Sequence, residues 1–154
     1  MTKKVIILGS TGSIGNSSLK IIEKNNNYKI IILSANKNIN KLFRQAIKFN
    51  VKHAIIEDRT KYEKYKSLFN KNKIILHLGF KNIAKILKNK TSYCINAIAG
   101  IDGLEPTLKI IPYTEKLLMA NKESIICGWH IIKKKLDKHK TQFIPIDSEH
   151  FSIW

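Results

Sequence analysis

The chain has 154 residues, 44% of them hydrophobic, with 28 basic against 11 acidic residues and a formal net charge of +17. A chain of this length makes one domain and buries about 70% of its unfolded surface, so it needs no disulfide or metal staple. No run of eighteen apolar residues is present, which excludes a membrane-spanning helix. The basic residues are 26 lysines and only 2 arginines, spread along the whole length. Nucleic-acid readers favour the bidentate arginine fork, so the charge reads as solvated lysines on a globular surface, able to steer anionic ligands inward.

In chain order, Val5-Ile6-Ile7-Leu8 is a short apolar run ended by a glycine turn, which reads as a first strand and not as a signal peptide. Gly9-Ser10-Thr11-Gly12-Ser13-Ile14-Gly15 follows as a turn, and Ile14, Leu19, Ile21 and Ile22 predict a helix from Ser13 to about Lys24. Lys29 to Ser34 is an apolar run typical of a buried parallel strand. Asn38 or Asn40 then caps a helix marked by Leu42, Phe43, Ala46, Ile47 and Phe49. His53 to Ile56 is a third strand, Lys61 to Phe69 a helix, Lys73 to His77 a fourth strand and Phe80 to Leu87 a helix. Tyr93 to Ala97 is a fifth strand and Leu104 to Ile111 a helix that tolerates Pro106 in its first turn. Lys116 to Met119 is a sixth strand. Lys122 to about Lys138 is the longest helix, apolar at Ile125, Ile126, Trp129, Ile132 and Leu136, and Gln142 to Ile146 is a seventh strand. Alternation of this kind predicts an α/β fold: a Rossmann-like, doubly wound, mainly parallel sheet of about seven strands. Cys94 and Cys127 read as buried free thiols of a cytoplasmic protein. The five histidines have no two-ligand spacing.

Ligands of such sheets sit outside the carboxyl ends of the strands, so the segments after strands carry the chemistry. After the first strand, Gly9 permits a tight turn, Gly12 lets a phosphate approach the backbone and Gly15 lets the helix pack closely. The helix start offers unpaired N–H groups to a diphosphate. After the second strand no acid lies between Glu23 and Glu57, and Lys37 stands where a ribose 2′-phosphate would lie, which favours NADPH over NADH. After the fifth strand, Ala97-Ile98-Ala99-Gly100 lets the backbone run close to a cofactor. After the sixth, Asn121 is a candidate N-cap and Lys122 a candidate for holding a substrate oxygen or phosphate. After the seventh, Asp147 and Glu149 at i and i+2 aim two carboxylates one way, a pattern suited to Mg²⁺ or Mn²⁺. Ser148 can donate to a substrate, and His150 reads as a packing residue.

Together GSTGSIG, NAIAGIDGLEPTL, ANKES and PIDSEH resemble the 1-deoxy-D-xylulose 5-phosphate reductoisomerase family, in its order and spacing over essentially the whole chain. The resemblance implies an NADPH-dependent enzyme with a divalent metal, Mn²⁺ or Mg²⁺. Its substrate is a small phosphorylated sugar, rearranged and reduced to 2-C-methyl-D-erythritol 4-phosphate in non-mevalonate isoprenoid synthesis. It implies cofactor contacts at Thr11, Gly12, Ser13, Ile14, Asn36, Lys37, Asn38, Asn121 and Glu123. Substrate contacts fall at Lys122, Ser148 and Glu149, with Lys122 and Glu149 catalytic, and metal ligands at Asp147 and Glu149. Asn36 stands where the family commonly has glycine.

Family members are homodimers that continue well past the position of Trp154, and the further part supplies another metal carboxylate, a substrate-phosphate site and a flap. On this reading residues 1–146 are the cofactor domain and 147–154 the start of a catalytic domain, and the chain is a fragment or truncated gene product that binds NADPH without turning substrate over. One rival is a semialdehyde dehydrogenase, which needs an activated cysteine that neither Cys94 nor Cys127 provides. The others are a non-catalytic dinucleotide-binding module and a nucleic-acid binder.

Overall fold

The computed structural model describes residues 2–146. Seven strands form one sheet: β1 (Lys3–Leu8), β2 (Tyr28–Ala35), β3 (His53–Ile56), β4 (Ile75–Leu78), β5 (Thr91–Asn96), β6 (Thr114–Met119) and β7 (Gln142–Pro145). Their order is β4-β3-β2-β1-β5-β6-β7, and every pairing is parallel. The intervening helices are α1 (Ser13–Glu23), α2 (Ile39–Lys48), α3 (Arg59–Lys71), α4 (Ile83–Ile86), α5 (Leu104–Ile110) and α6 (Lys122–His139).

The period-two geometry of a strand explains why the apolar runs are continuous. In β1, Val5 and Ile7 face one core, shared with Leu33, Ala54, Leu19 of α1, Leu42 and Ala46 of α2 and Phe69 of α3. Ile6 and Leu8 face the other, shared with Ile32, Ile55, Ile83 of α4, Ile110 of α5 and Ile132 and Leu136 of α6. Both faces are therefore covered, three helices to a side.

Several expectations shift. Ile14 and Ile21 are exposed, so α1 docks through Leu19 and Gly15, with Ile22 at the margin. The helix expected over Phe80–Leu87 contracts to Ile83–Ile86, because Gly79 has φ +59° and Leu87 is extended. Phe80 and Leu87 are buried anchors at its ends. In α6 the inward stripe is Ser124, Gly128, Ile132 and Leu136, and Ile126 and Trp129 are exposed. Gly128 is small because Leu104 Cδ1 would lie 2.5 Å from a Cβ there. Cys94 is buried, and burial pushes its thiol far above the ordinary range. Cys127 is exposed, contrary to expectation, since it follows Ile126 on the outer face. Among the described residues no helix is long and apolar enough to cross a membrane.

Candidate functional site

The strand order reverses between β1 and β5, the place where a sheet of this kind opens a crevice at its carboxyl edge. A cleft of about 950 Å³ lies there. Its walls come from the turn after β1 (Gly9, Thr11, Gly12), the ends of β2 and β3 (Ser34, Asn36, Glu57, Arg59) and the loop after β5 (Ala97, Ile98, Ala99). A second cleft of about 800 Å³ lies at the opposite edge, lined by Lys4, Lys29, His53 and Thr91 at strand starts. It has neither a glycine turn nor a helix start, so the carboxyl-edge cleft is the candidate site.

The glycines of the turn do three different things. Gly9 has φ +73°, and a Cβ there would lie 2.7 Å from Ala97 O. Gly15 allows α1 to press on the turn, since its Cβ would lie 2.6 Å from Ser10 Cα. Gly12 has φ −76° and ψ 179°, an extended conformation open to any residue, and a Cβ there would meet only Gly9 O, at 3.5 Å. Unlike Gly9, Gly12 is therefore not required by its backbone angles. Its bareness faces the cleft and leaves room for a ligand.

Polar side chains brace the turn from beneath. Gly9 N–H donates to Ser34 Oγ at 3.0 Å, and Ser10 N–H to Ser34 O at 2.8 Å. Asn16 Nδ2 donates to Thr11 O at 3.1 Å and to Gly12 O at 2.6 Å, and Lys41 Nζ donates to Thr11 O at 2.9 Å. These hydrogen bonds occupy two carbonyls that would otherwise repel an anion at the turn.

Asn121 is nearly fully buried and caps α6, its Oδ1 accepting from Ser124 N–H at 2.7 Å. Its Nδ2 donates to Ile98 O and, at 2.6 Å, to Gly100 O. The side chain therefore ties the start of α6 to the cleft-lining loop after β5. Asn96 anchors the same loop, with Oδ1 accepting from Ile98 N–H at 3.1 Å and Nδ2 donating to Thr107 Oγ1 at 2.5 Å. Lys122 and Glu123 are exposed at the helix start, and the buried Ser124 Oγ has no hydrogen-bond partner among the described residues.

Of the expected cofactor residues, Thr11, Gly12 and Asn36 line the cleft. Ser13 and Ile14 open α1 beside it, and Lys37 and Asn38 lie just outside its wall, Asn38 capping α2 by accepting from Lys41 N–H at 3.1 Å. Asp147, Ser148, Glu149 and His150 lie outside the described residues. Among the described residues no group of three or more His, Cys, Asp or Glu side chains could hold a metal.

Sequence reading missed Glu57 and Arg59 as cleft residues. The only signal for Arg59 was its being one of two arginines. Burial, reinforced by the Glu105 carboxylate and more weakly by Asp102, pushes the Glu57 carboxyl above its ordinary range, with Lys109 opposing. It missed a histidine pair too: His53 Nδ1 and His77 Nε2 lie 3.1 Å apart on neighbouring strands.

A parallel sheet with a glycine turn at its switch point and a cleft over it defines a Rossmann-type domain. The sequence model described as 1-deoxy-D-xylulose 5-phosphate reductoisomerase matches residues 5–128, and the chain belongs to that family. A relative of that name from Pelagibacter ubique is 50% identical, over 99% of this chain and 40% of its own length. The Zymomonas mobilis reductoisomerase, solved in complex with NADPH, superposes with a TM-score of 0.89 at 32% identity, covering 100% of this chain and 42% of that one. A reductoisomerase solved with NADPH, fosmidomycin and magnesium superposes at 0.87 and 30% identity, over 96% of this chain and 37% of that one. The chain thus spans about two fifths of the length of these relatives.

Proposed function

We propose that the chain is the NADPH-binding part of a reductoisomerase that converts 1-deoxy-D-xylulose 5-phosphate to 2-C-methyl-D-erythritol 4-phosphate, in the cytoplasm. The observation that carries this reading is the braced glycine turn opening into the switch-point cleft, with Gly12 bare on its floor.

The cleft fits the cofactor. Backbone N–H groups of Ser13 and Ile14, at the start of α1, hold the diphosphate, Gly12 N–H being used within the turn on Gly9 O at 3.1 Å. The ribose end falls at Asn36, with Lys37 and Asn38 beside it. The nicotinamide end falls toward Asn121 and Glu123, beside the Ala97–Ala99 loop. Lys122, at the carboxyl edge, stabilises negative charge on the substrate during reaction. Asp147 and Glu149 are the metal ligands of this reading, with Ser148 and Glu149 at the substrate. When bound, NADPH supplies the hydride and the metal, Mn²⁺ or Mg²⁺, supplies Lewis acidity.

Calorimetric titration of the chain with NADPH and NADH tests the reading. Saturable binding that is tighter for NADPH is expected. Binding of neither dinucleotide, or tighter binding of NADH, would overturn it.

A further inference from the structure

Arg59 opens α3 at the mouth of the cleft, against the loop that follows β2. The two loops are laced together. Glu57 N–H donates to Ala35 O at 3.3 Å, Asp58 N–H to Asn36 O at 3.2 Å, and Lys61 Nζ to Lys37 O at 2.6 Å. Two polar side chains nearby are committed to helix caps. Asp58 caps α3, accepting from Lys61 N–H at 3.0 Å, and Asn38 caps α2. The Glu57 carboxylate lies over Gly79, its Oε2 3.3 Å from where a Cβ would stand. Arg59 is exposed, shares the cleft wall with Asn36, and forms no ion pair among the described residues. Lys37, in contrast, does not line the cleft.

The adenosine ribose of a bound dinucleotide lies at the end of the second strand, where a nearby arginine can accommodate a 2′-phosphate. A guanidinium presents paired donors to a phosphate dianion, which an ammonium does not. Resting on the reading that this cleft holds a dinucleotide, we infer that Arg59 is the residue that recognises the ribose 2′-phosphate and sets the preference for NADPH over NADH, with Lys37 in support. The site is shared between two loops, and the hydrogen bonds from residues 57, 58 and 61 fix their spacing before the ligand arrives.

The test is calorimetry of wild type, Arg59→Ala and Arg59→Lys with NADPH, NADH, adenosine 2′,5′-bisphosphate and AMP, with circular dichroism as the folding control. Arg59→Ala weakens NADPH and the bisphosphate by about tenfold or more, the scale of a charge-assisted hydrogen bond. NADH and AMP are unaffected, and Arg59→Lys is intermediate. An unchanged NADPH-to-NADH ratio in Arg59→Ala, or equal losses for both, overturns the inference and leaves the cofactor reading standing. A wild-type chain that binds neither dinucleotide overturns both.

Discussion

Ser10 and Gln45 exchange two hydrogen bonds in the buried floor of the glycine turn: Ser10 Oγ donates to Gln45 Oε1 at 2.8 Å, and Gln45 Nε2 donates to Ser10 O at 3.0 Å. The same Nε2 reaches Asn16 Oδ1 at 3.0 Å, and Asn16 in turn holds Thr11 O and Gly12 O. One glutamine on α2 thus fixes the shape of a loop 35 residues earlier. Gln45→Leu removes three hydrogen bonds and leaves the buried Ser10 O without its partner, Ser10 Oγ keeping only Ser34 O at 3.2 Å, and costs about 2–4 kcal/mol. The unfolding midpoint should fall by roughly 5–15 °C, with weaker NADPH binding. Gln45→Glu keeps the acceptor for Ser10 but loses both donations, so it should be no milder. A thermal melt unchanged in Gln45→Leu would show that the network does not hold the turn.

The three glycines of the turn separate fold from binding. Gly12→Val has extended backbone and an open Cβ site, so the chain folds, but the branched side chain fills the floor of the cleft. Its circular dichroism should match wild type while NADPH affinity falls below detection. Gly15→Ala forces a Cβ into the backbone of Ser10, and Gly9→Ala adds a positive φ to a clash with Ala97 O. Both should lose the cooperative melt itself. Tight NADPH binding by a folded Gly12→Val chain would remove this turn from the site.

What the sequence revealed, and what it hid, follows from the range of the interactions involved. Strands β1, β2 and β3 were legible because each is buried on both faces, and His53–Ile56 matches its expected bounds. The glycine turn was legible because its backbone demands are local. Strand β4 starts two residues later than expected, because Lys73 adopts φ +60° and turns the chain first. In α6, counting apolar side chains found Ile132 and Leu136 but missed Ser124 and Gly128, the small residues that complete the inward stripe, and wrongly included Ile126 and Trp129. Glu57 and Arg59 carry no local pattern at all. They join the site through the pairing of β3 with β2 and through the backbone hydrogen bonds of Glu57 to Ala35 O and Asp58 to Asn36 O.

Asn121 is buried and uses both ends of its amide, capping Ser124 N–H and donating to Ile98 O and Gly100 O. Asn121→Asp keeps the cap but turns a carboxylate oxygen toward those two carbonyls. Asn121→Ala loses the cap as well, at about 1 kcal/mol for that part alone. Both variants should be destabilised, with Asn121→Asp at least as affected at neutral pH and improving as the pH is lowered toward protonation of its carboxyl. Equal melting temperatures for both variants and wild type would mean that the amide is not what joins α6 to the loop after β5.

His53 and His77 give the sheet a pH dependence at its β4 edge. Burial holds both imidazoles below their ordinary value, His53 further lowered by His77 and then by Lys52. Their nitrogens stand 3.1 Å apart, a distance at which one ring donates and the other accepts, so the pair is satisfied only while at least one ring is neutral. The sign follows from linkage. The unfolded chain takes up protons near the ordinary value of 6.5, and the folded chain does so only at lower pH. Stability is therefore full above about pH 6.5 and is lost progressively as the pH falls toward the depressed folded values. Unfolding midpoints taken from pH 8 to pH 5 should hold level at the alkaline end and decline through the acidic half. In His53→Asn/His77→Gln, whose amides can hydrogen-bond without titrating, that decline should be visibly shallower. An acid-side slope identical to wild type in the double variant would assign the pH dependence to other groups.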